Sequence, residues 1–265
     1  MRVKRLTIAE LLALKGQRQL TMLRVETLDE AEAAQQAGID MISVPPVLVQ
    51  DVRFRQVAPS IFVVCSLSYG VYVTVDDYLR GAFTVMRAGA DAIYCSASAT
   101  VISALRQEAI PVCGHVGLIP TQATWTGGLK AVGKTAESAA MVWKQIKTLE
   151  ASGAVMTEIE VVPQELAAEI ARRSSLFVIS MGAGGGCDAQ YLFASDVLGS
   201  HDGHYPRHSR TYRDFRAEAQ RLQVERVAAF AEYAVDVQSG AFPGPSETLR
   251  MAPGELTRFI DSLDN

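Results

Sequence analysis

Short apolar runs alternate with amphipathic stretches along most of this chain, and this alternation constrains the fold more than any other feature. Runs such as 41–44 and 177–181 are too short for helices, which indicates buried strands. Stretches such as 27–37 and 75–88 have apolar residues at helical spacing and are each followed by a glycine. Because strand, helix and strand repeat seven or eight times, the pattern predicts a parallel α/β fold. We favour a closed (β/α)8 TIM barrel over an open doubly wound sheet.

The length of the chain suits a single barrel. It has 265 residues, and a (β/α)8 barrel usually takes about 250. No linker or change in composition suggests a second domain. We therefore expect one domain over residues 1–265, with an N-terminal helix near 6–15 and a C-terminal helical extension over about 212–239. That extension either covers the barrel or mediates assembly.

Composition excludes several classes of partner. The net charge is −4 and no basic stripe is interleaved with aromatic residues, so nucleic acid is not expected as a partner. No apolar run reaches the ~18 residues of a membrane span, and Glu10 interrupts the N-terminal stretch that would otherwise resemble a signal peptide. Cys65, Cys95, Cys113 and Cys187 lie in or near apolar runs without CxxC spacing, which is typical of reduced thiols in a cytoplasmic protein.

The stretch 109–128 contains the first candidate for a functional residue. Residues 110–113 are predicted to form a buried strand that ends in Gly114-His115, and a loop rich in glycine and threonine follows, with no helical pattern until about Ala136. In α/β enzymes, polar side chains at the C-terminal ends of parallel strands supply much of the chemistry. His115 is therefore a candidate site residue, and a hydrogen-bonded core histidine is the alternative.

Several segments resemble, in order, those of the ketopantoate hydroxymethyltransferase family. They are TVMRAGAD (84–91), IPVCGHVGLIP (110–120), TGG with the following K-x-x-G (126–133), LEASGA (149–154) and MGAGGGCDAQ (181–190). The resemblance implies a barrel of the phosphoenolpyruvate mutase and isocitrate lyase type, and a cytoplasmic homo-oligomer, a decamer or smaller. It also implies transfer of a hydroxymethyl group from methylenetetrahydrofolate to an α-keto acid held by Mg²⁺.

The carboxylates that the resemblance implies for the Mg²⁺ ion are missing here. The family's Gly-Asp-Ser after the second strand corresponds to Pro45-Pro46-Val47, its aspartate at the end of the third strand to Ser66, and its Lys-x-Glu on the fourth to Tyr94-Cys95-Ser96. Mg²⁺ prefers carboxylate oxygens, and serine hydroxyls are far weaker ligands. We therefore expect no Mg²⁺ and no tightly bound cofactor, with methylenetetrahydrofolate as a candidate cosubstrate.

Two carboxylates lie on the predicted strand after the long helix. Glu160 matches a glutamate of the family, and we interpret it as the general acid/base. Side chains alternate faces along a strand, so Glu158 faces the same way, and two close carboxylates raise one pKa. An arginine partner for Glu158, or a shifted strand that turns it towards the helices, is the alternative. The same alternation turns Tyr94, Ser96, Ser66 and Cys113 inwards and Cys65 and Cys95 towards the helices.

Three further features are weaker candidates. Lys130 and Lys134 lie in the glycine-rich loop, where they could bind an anionic tail or be solvated. Residues 182–186 resemble a phosphate-binding loop, a weak signal without other support. His201, His204 and His208 have a spacing that matches no helix face, so a metal site there is not favoured.

These observations favour a metal-independent enzyme of carbon–carbon bond chemistry that acts on a small enolisable carbonyl substrate by one-carbon transfer. Glu160 and His115 are the predicted catalytic residues, and the predicted substrate contacts are Tyr94, Ser66, Ser96, Glu158 and Lys130. Two alternatives stay open: the family reaction on a different acceptor, and a catalytically silent paralogue that acts as an assembly or regulatory partner.

Overall fold

Eight strands lie side by side, all parallel, and the last pairs with the first to close a barrel. The computed structural model describes residues 4–263. The predicted closed barrel is confirmed. The strands are β1 (Leu20–Arg24), β2 (Met41–Val44), β3 (Phe62–Ser66), β4 (Ala92–Tyr94), β5 (Val112–Gly117), β6 (Met156–Glu160), β7 (Phe177–Met181) and β8 (Ala189–Phe193).

Helices precede the barrel, connect most of its strands and follow it. They are α1 (Ile8–Ala13), α2 (Leu28–Gln36), α3 (Pro46–Val49), α4 (Phe54–Val57), α5 (Val75–Ala88), α6 (Ala99–Gln107), α7 (Ala123–Thr126), α8 (Ala136–Ala151), α9 (Gln164–Arg173), α10 (Ala194–Leu198), α11 (Phe215–Ser239) and α12 (Glu255–Leu263). A capping box at Thr74 begins α5, and Gly89 ends it at φ 121°, so this helix has the predicted bounds.

The strand side chains form two apolar layers. One layer fills the barrel interior and includes Cys113, with Tyr94 packed against it. The other lies between strands and helices and includes Cys65 and Cys95. The predicted alternation of faces is therefore confirmed at these positions.

Helix α1 packs against the N-terminal end of the barrel. Its Leu11 is fully buried in the interior cluster, beside Leu20 at the start of β1. Thr7 and Glu10 form a capping box, which fixes where the helix begins. With this end covered, the C-terminal ends of the strands are left for a ligand.

Strand β5 is longer than the sequence predicts. The expected end near residue 113 is wrong, because β5 runs through His115 to Gly117. The loop that follows is also not free of helix, since it contains a 3-10 turn at Pro120–Gln122 and then α7. Gly114 interrupts the apolar run for a packing reason: a Cβ atom there would lie 2.7 Å from Leu149 of α8.

The glycine-rich segment between β7 and β8 crosses back along the barrel without a helix. Cβ atoms at Gly184 and Gly186 would lie 2.3 Å from Gln164 Cβ and 2.5 Å from Ala168 Cβ, both on α9. Because these glycines have no side chains, the segment packs directly on α9, which leaves no room there for a helix between β7 and β8. This packing accounts for Gly184 and Gly186, two of the glycines that resembled a phosphate-binding loop.

Residues from Asp214 onwards form a second compact unit. The Asp214 side chain caps α11, and Gly240 ends that helix at φ 74°. The described side chains of α11 and α12 are not buried. Helix α11 lies within the predicted extension over about 212–239, and α12 was not predicted. The assignment of the whole chain to one domain stays a prediction. No helix within residues 4–263 combines the length and apolarity that a membrane span requires.

The crossover predicts a contrast between two neighbouring glycines. We expect Gly186→Ala to lower the free energy of unfolding by about 1–3 kcal/mol, because its methyl group would overlap Ala168 on the backbone of α9. Gly185→Ala is the matched control, since its Cβ would have no atom within 4 Å, and we expect a change within about 0.5 kcal/mol. Urea unfolding followed by circular dichroism measures both, and equal stability of the two variants would contradict the packing argument.

Candidate active site

A cavity of about 480 Å³ opens at the C-terminal ends of the strands. It is lined by six residues predicted from the sequence: Ser66, Tyr94, Ser96, His115, Glu158 and Glu160. They come from the ends of β3, β4, β5 and β6 or directly follow them. Lys130 does not line this cavity; it lies in the exposed loop before α8, with its Nζ atom close to Gly127.

Three side chains of adjacent strands form a connected cluster in the cavity. The Tyr94 hydroxyl lies 2.6 Å from His115 Nδ1. On the other edge of the ring, His115 Nε2 lies 3.1 Å from Glu160 Oε2. This second contact is out of line for a hydrogen bond, so the buried Nε2 has no hydrogen-bond partner within residues 4–263. The ring is held by Tyr94, and Nε2 is left to contact a ligand.

Strand pairing brings the two glutamates to this cluster. In the register between β5 and β6, His115 lies opposite Glu158 and Gly117 opposite Glu160. Glu158 and Glu160 are two residues apart and line the same cavity, as the alternation predicted. Glu158 is the deeper of the two, with only 6% of its surface exposed.

The environment shifts the proton affinities of this cluster. Burial raises the pKa of Glu158 above its ordinary value of 4.5, and His115 only partly offsets the shift. Burial would lower the pKa of His115, but the carboxylates of Glu158 and Glu160 outweigh it and raise the pKa above 6.5. Burial also raises the pKa of Tyr94, which keeps its phenol protonated. The site thus pairs a deeply buried carboxyl group, that of Glu158, with the more exposed Glu160.

The opposite side of the cavity contains an arginine that the sequence analysis missed. Arg24 ends β1, and its Nη1 donates to Ser66 Oγ at 2.7 Å and to Ser43 Oγ at 3.3 Å. Ser66 Oγ in turn donates to the carbonyl of Val44 at 3.2 Å. A signal for Arg24 was available: it is a charged residue at the C-terminal end of an apolar strand, the criterion that selected His115.

Tyr191 on β8 also lines the cavity and was not predicted. It is 7% exposed, and burial raises the pKa of its phenol. No sequence feature distinguishes it from a core aromatic residue, because its strand alternates like the others.

These residues do not fit the Mg²⁺ site of the family that the sequence resembles. At the ends of β2, β3 and β4 the side chains offer serine hydroxyls, and two of those hydroxyls accept hydrogen bonds from the Arg24 guanidinium. A cation placed there would be repelled by Arg24 and would lack carboxylate ligands. Within residues 4–263, the only three-residue group with ligand atoms within 4.8 Å of one another is His115, Glu158 and Glu160. That mixed nitrogen and oxygen set suits a transition metal better than Mg²⁺.

The histidines after β8 do not gather into a metal site. His201 Nε2 lies 2.8 Å from Asp196 Oδ1, and its ring stacks on Tyr205 at 4.2 Å between centroids. His208 lines the main cavity, and His204 is exposed. The three side chains therefore have separate environments.

Comparison with known proteins gives one consistent family. Residues 47–245 match the family model of ketopantoate hydroxymethyltransferase. A 3-methyl-2-oxobutanoate hydroxymethyltransferase of Thermus thermophilus is 34% identical over 263 residues, covering 91% of this chain and 98% of that protein. The enzyme of the same name from Escherichia fergusonii is also 34% identical, over 207 residues that cover 75% of this chain and 76% of that protein.

Solved structures share the fold at low identity. A phosphonopyruvate hydrolase solved with oxalate and Mg²⁺ has a TM-score of 0.53 at 13% identity, covering 97% of this chain and 99% of its own. The 3-dehydroquinate dehydratase of Geobacillus kaustophilus has a TM-score of 0.52 at 14% identity, covering 79% of this chain and 93% of its own. These likenesses show that this chain shares the barrel fold of both proteins.

Glu158 predicts how stability depends on pH. Because its pKa is raised in the folded protein, its contribution to stability is complete below about pH 4.5 and is lost as the pH rises through the raised value. Glu158→Gln keeps the shape but cannot ionise, so its melting temperature relative to wild type should increase steadily from pH 4.5 to 8. Thermal unfolding across this range measures the difference. Glu32→Gln, at an exposed position, should show no such trend, and a flat difference for Glu158→Gln would contradict the assignment.

Proposed function

This chain belongs to the ketopantoate hydroxymethyltransferase family and is a transferase; from this premise we propose that it adds a hydroxymethyl group to the enolisable carbon of a small carbonyl substrate without a divalent metal ion. One observation carries the proposal. The Tyr94, His115 and Glu160 cluster is intact in the cavity, while the positions of the metal ligands hold hydroxyls beside a guanidinium.

Glu160 is proposed as the general base. It takes the proton from the carbon next to the substrate carbonyl, and the electron pair of that C–H bond forms the enolate. With methylenetetrahydrofolate as donor, water breaks the two C–N bonds of the methylene group, which yields formaldehyde and tetrahydrofolate. The enolate carbon adds to the formaldehyde carbon, and the C=O electron pair takes up a proton to give the hydroxyl of the hydroxymethylated product. Side-chain exposure of 16% gives Glu160 access to the substrate while limiting its hydration.

His115 and Tyr94 are proposed to stabilise the enolate oxygen. When His115 is neutral, the protonated Tyr94 donates to Nδ1, and the ring carries its proton on the unpartnered Nε2. That N–H is available to the oxygen on which negative charge develops, which is the role of an oxyanion-stabilising donor. Glu158, whose pKa is raised by burial, is proposed as a substrate contact at the bottom of the cavity. Ser66 and Ser96 are proposed as neutral substrate contacts.

Metal independence is proposed from the donor set. Enolate stabilisation by a hard cation needs carboxylate ligands, which the ends of β2 to β4 do not supply. A metal held by His115, Glu158 and Glu160 would occupy the base itself, so that arrangement and the acid/base role exclude each other.

The remaining expectations concern cosubstrate, assembly and location. Lys130 is proposed as a contact for the anionic tail of a folate. Lys130 lies outside the main cavity, where such a tail would extend. Copies of the chain are proposed to form a cytoplasmic homo-oligomer, a decamer or smaller. Exposed apolar side chains on α11, such as Val227 and Phe230, support assembly, and sedimentation as a monomer at micromolar concentration would contradict it.

We expect Glu160→Gln to fold normally, to bind substrate and to lose roughly 10²–10⁴-fold in proton abstraction, because the amide keeps the shape but cannot accept the proton. The measurement is exchange of the C3 proton of 3-methyl-2-oxobutanoate, and of other 2-oxo acids, for deuterium by NMR. This reports enolisation whatever acceptor the enzyme uses. Glu108→Gln, at an exposed helix end, is the control and should exchange at the wild-type rate. A fully active Glu160→Gln, or no exchange by wild type with any 2-oxo acid, would favour a silent paralogue.

We expect the purified protein to carry no stoichiometric Mg²⁺, Mn²⁺ or Zn²⁺, and proton exchange to be unchanged by EDTA. The reason is the set of hydroxyls that replaces the metal-binding carboxylates. Elemental analysis and the exchange assay with and without EDTA test this. One metal ion per chain that is lost in His115→Ala, or activity that requires added Mg²⁺, would overturn metal independence.

A further inference from the structure

Arg24 is a buried cation that the proposed chemistry has not used. It ends β1 and lines the cavity, and its side chain is 15% exposed. It is the only arginine or lysine among the residues that line this cavity in the described part of the chain. A positive charge in such a place is costly unless it is paired or has a ligand.

The hydrogen bonds of Arg24 hold the guanidinium but do not saturate it. Nε donates to Glu26 Oε1 at 2.6 Å, and Nη1 donates to the hydroxyls of Ser66 and Ser43. Within residues 4–263, Nη2 donates no hydrogen bond. Glu26 also lines the cavity, but its side chain is 56% exposed, so water screens its charge and weakens its neutralisation of Arg24. The two serines are neutral and fix the orientation of the fork without cancelling its charge.

The position of Arg24 complements that of the acid/base cluster. Arg24 ends β1, and Glu160 ends β6, across the mouth of the closed barrel. A substrate held at both places would have an anionic end near β1 to β3 and its reacting carbon near β5 and β6. An α-keto acid has this form, with a carboxylate at one end and an enolisable carbon beyond the carbonyl.

We propose that the Arg24 guanidinium, oriented by Ser43 and Ser66, binds the carboxylate of a 2-oxo acid in the cavity and so replaces a metal ion as the cationic anchor. The inference rests on the proposed function, because it assumes that this cavity holds the substrate. A guanidinium presents parallel N–H donors that match a carboxylate, so it supplies both charge and orientation. It does not replace the Lewis acidity of a metal, which leaves enolate stabilisation to His115 and Tyr94.

The test compares an anionic ligand with its uncharged methyl ester. In EDTA, 3-methyl-2-oxobutanoate and its neutral methyl ester are titrated into wild type, Arg24→Gln and Arg24→Lys, with calorimetry as the readout. We expect Arg24→Gln to weaken binding of the acid about 10- to 100-fold and to leave the ester nearly unchanged. The affinity of Arg24→Lys for the acid should lie between those of wild type and Arg24→Gln, because lysine keeps the charge but not the paired N–H donors of a guanidinium. Arg53→Gln, which removes an exposed arginine, is the matched control and should bind both ligands like wild type.

A purely structural role for Arg24 would give a different result. If Arg24 only ties β1 to β3, then Arg24→Gln should lower the melting temperature and weaken binding of the acid and the ester equally. Equal weakening of both ligands overturns the proposal, and so does unchanged binding of the acid. Should Arg24→Gln fail to fold, wild type is treated with the arginine reagent phenylglyoxal and analysed by peptide mass spectrometry. The acid, but not the ester, should protect Arg24 from phenylglyoxal. Equal labelling of Arg24 in the presence of either ligand overturns the proposal.

The outcomes also separate the anchor from the proposed function. If the acid binds through Arg24 but wild type exchanges no proton, the carboxylate site stands and the enzyme activity fails. If exchange depends on Glu160 while Arg24→Gln binds the acid normally, the activity stands and the anchor fails. If the acid binds only after Mg²⁺ is added, metal independence and the anchor both fail.

Discussion

The register between β5 and β6 is the constraint on which the cavity depends. It places His115 opposite Glu158 and brings Glu160 beside the same ring. A slip of one residue would turn both glutamates into the strand–helix layer, where a charged carboxylate has no partner. Gly114 and Gly117 hold this register from outside the cavity, because the first makes room for Leu149 and the second, at φ 86°, for the backbone of Glu160. The geometry of the His115, Glu158 and Glu160 cluster is therefore set by strand pairing.

Burial distinguishes the two glutamates of the cluster. Glu158 and Glu160 are two residues apart on one strand, and Glu158 is the deeper, with 6% of its surface exposed against 16% of the Glu160 side chain. Desolvation favours the neutral acid, so burial raises the pKa of Glu158. Such a difference in depth is one way in which a pair of acids acquires separate functions, and it supports the proposal of Glu160 as the base.

Much of this architecture could be predicted from the sequence, and the failures have physical causes. The spacing of apolar residues in 75–88 and the glycine after them predicted the bounds of α5, and the capping box at Thr74 agrees with them. The inward group of Ser66, Tyr94, His115, Glu158 and Glu160 followed from alternation alone. The end of β5 was misplaced because Gly114 breaks the apolar pattern for a long-range contact that one sequence does not reveal. Arg24 was missed because its polar partners, Ser43 and Ser66, come from other strands and meet it only after the barrel closes.

Ser66, at the position where the resemblance implies a metal-binding aspartate, and Arg24 depend on each other. An aspartate at position 66 would lie within reach of the Arg24 guanidinium, since a serine hydroxyl there is already 2.7 Å from Nη1. The two would form a buried ion pair, leaving neither a cation for a substrate nor a free carboxylate for a metal. Conversely, a metal held at this edge would repel the arginine. This cavity has one place for a positive charge beside β3. That place can hold a metal ion bound by carboxylates or a guanidinium bound to hydroxyls, but not both.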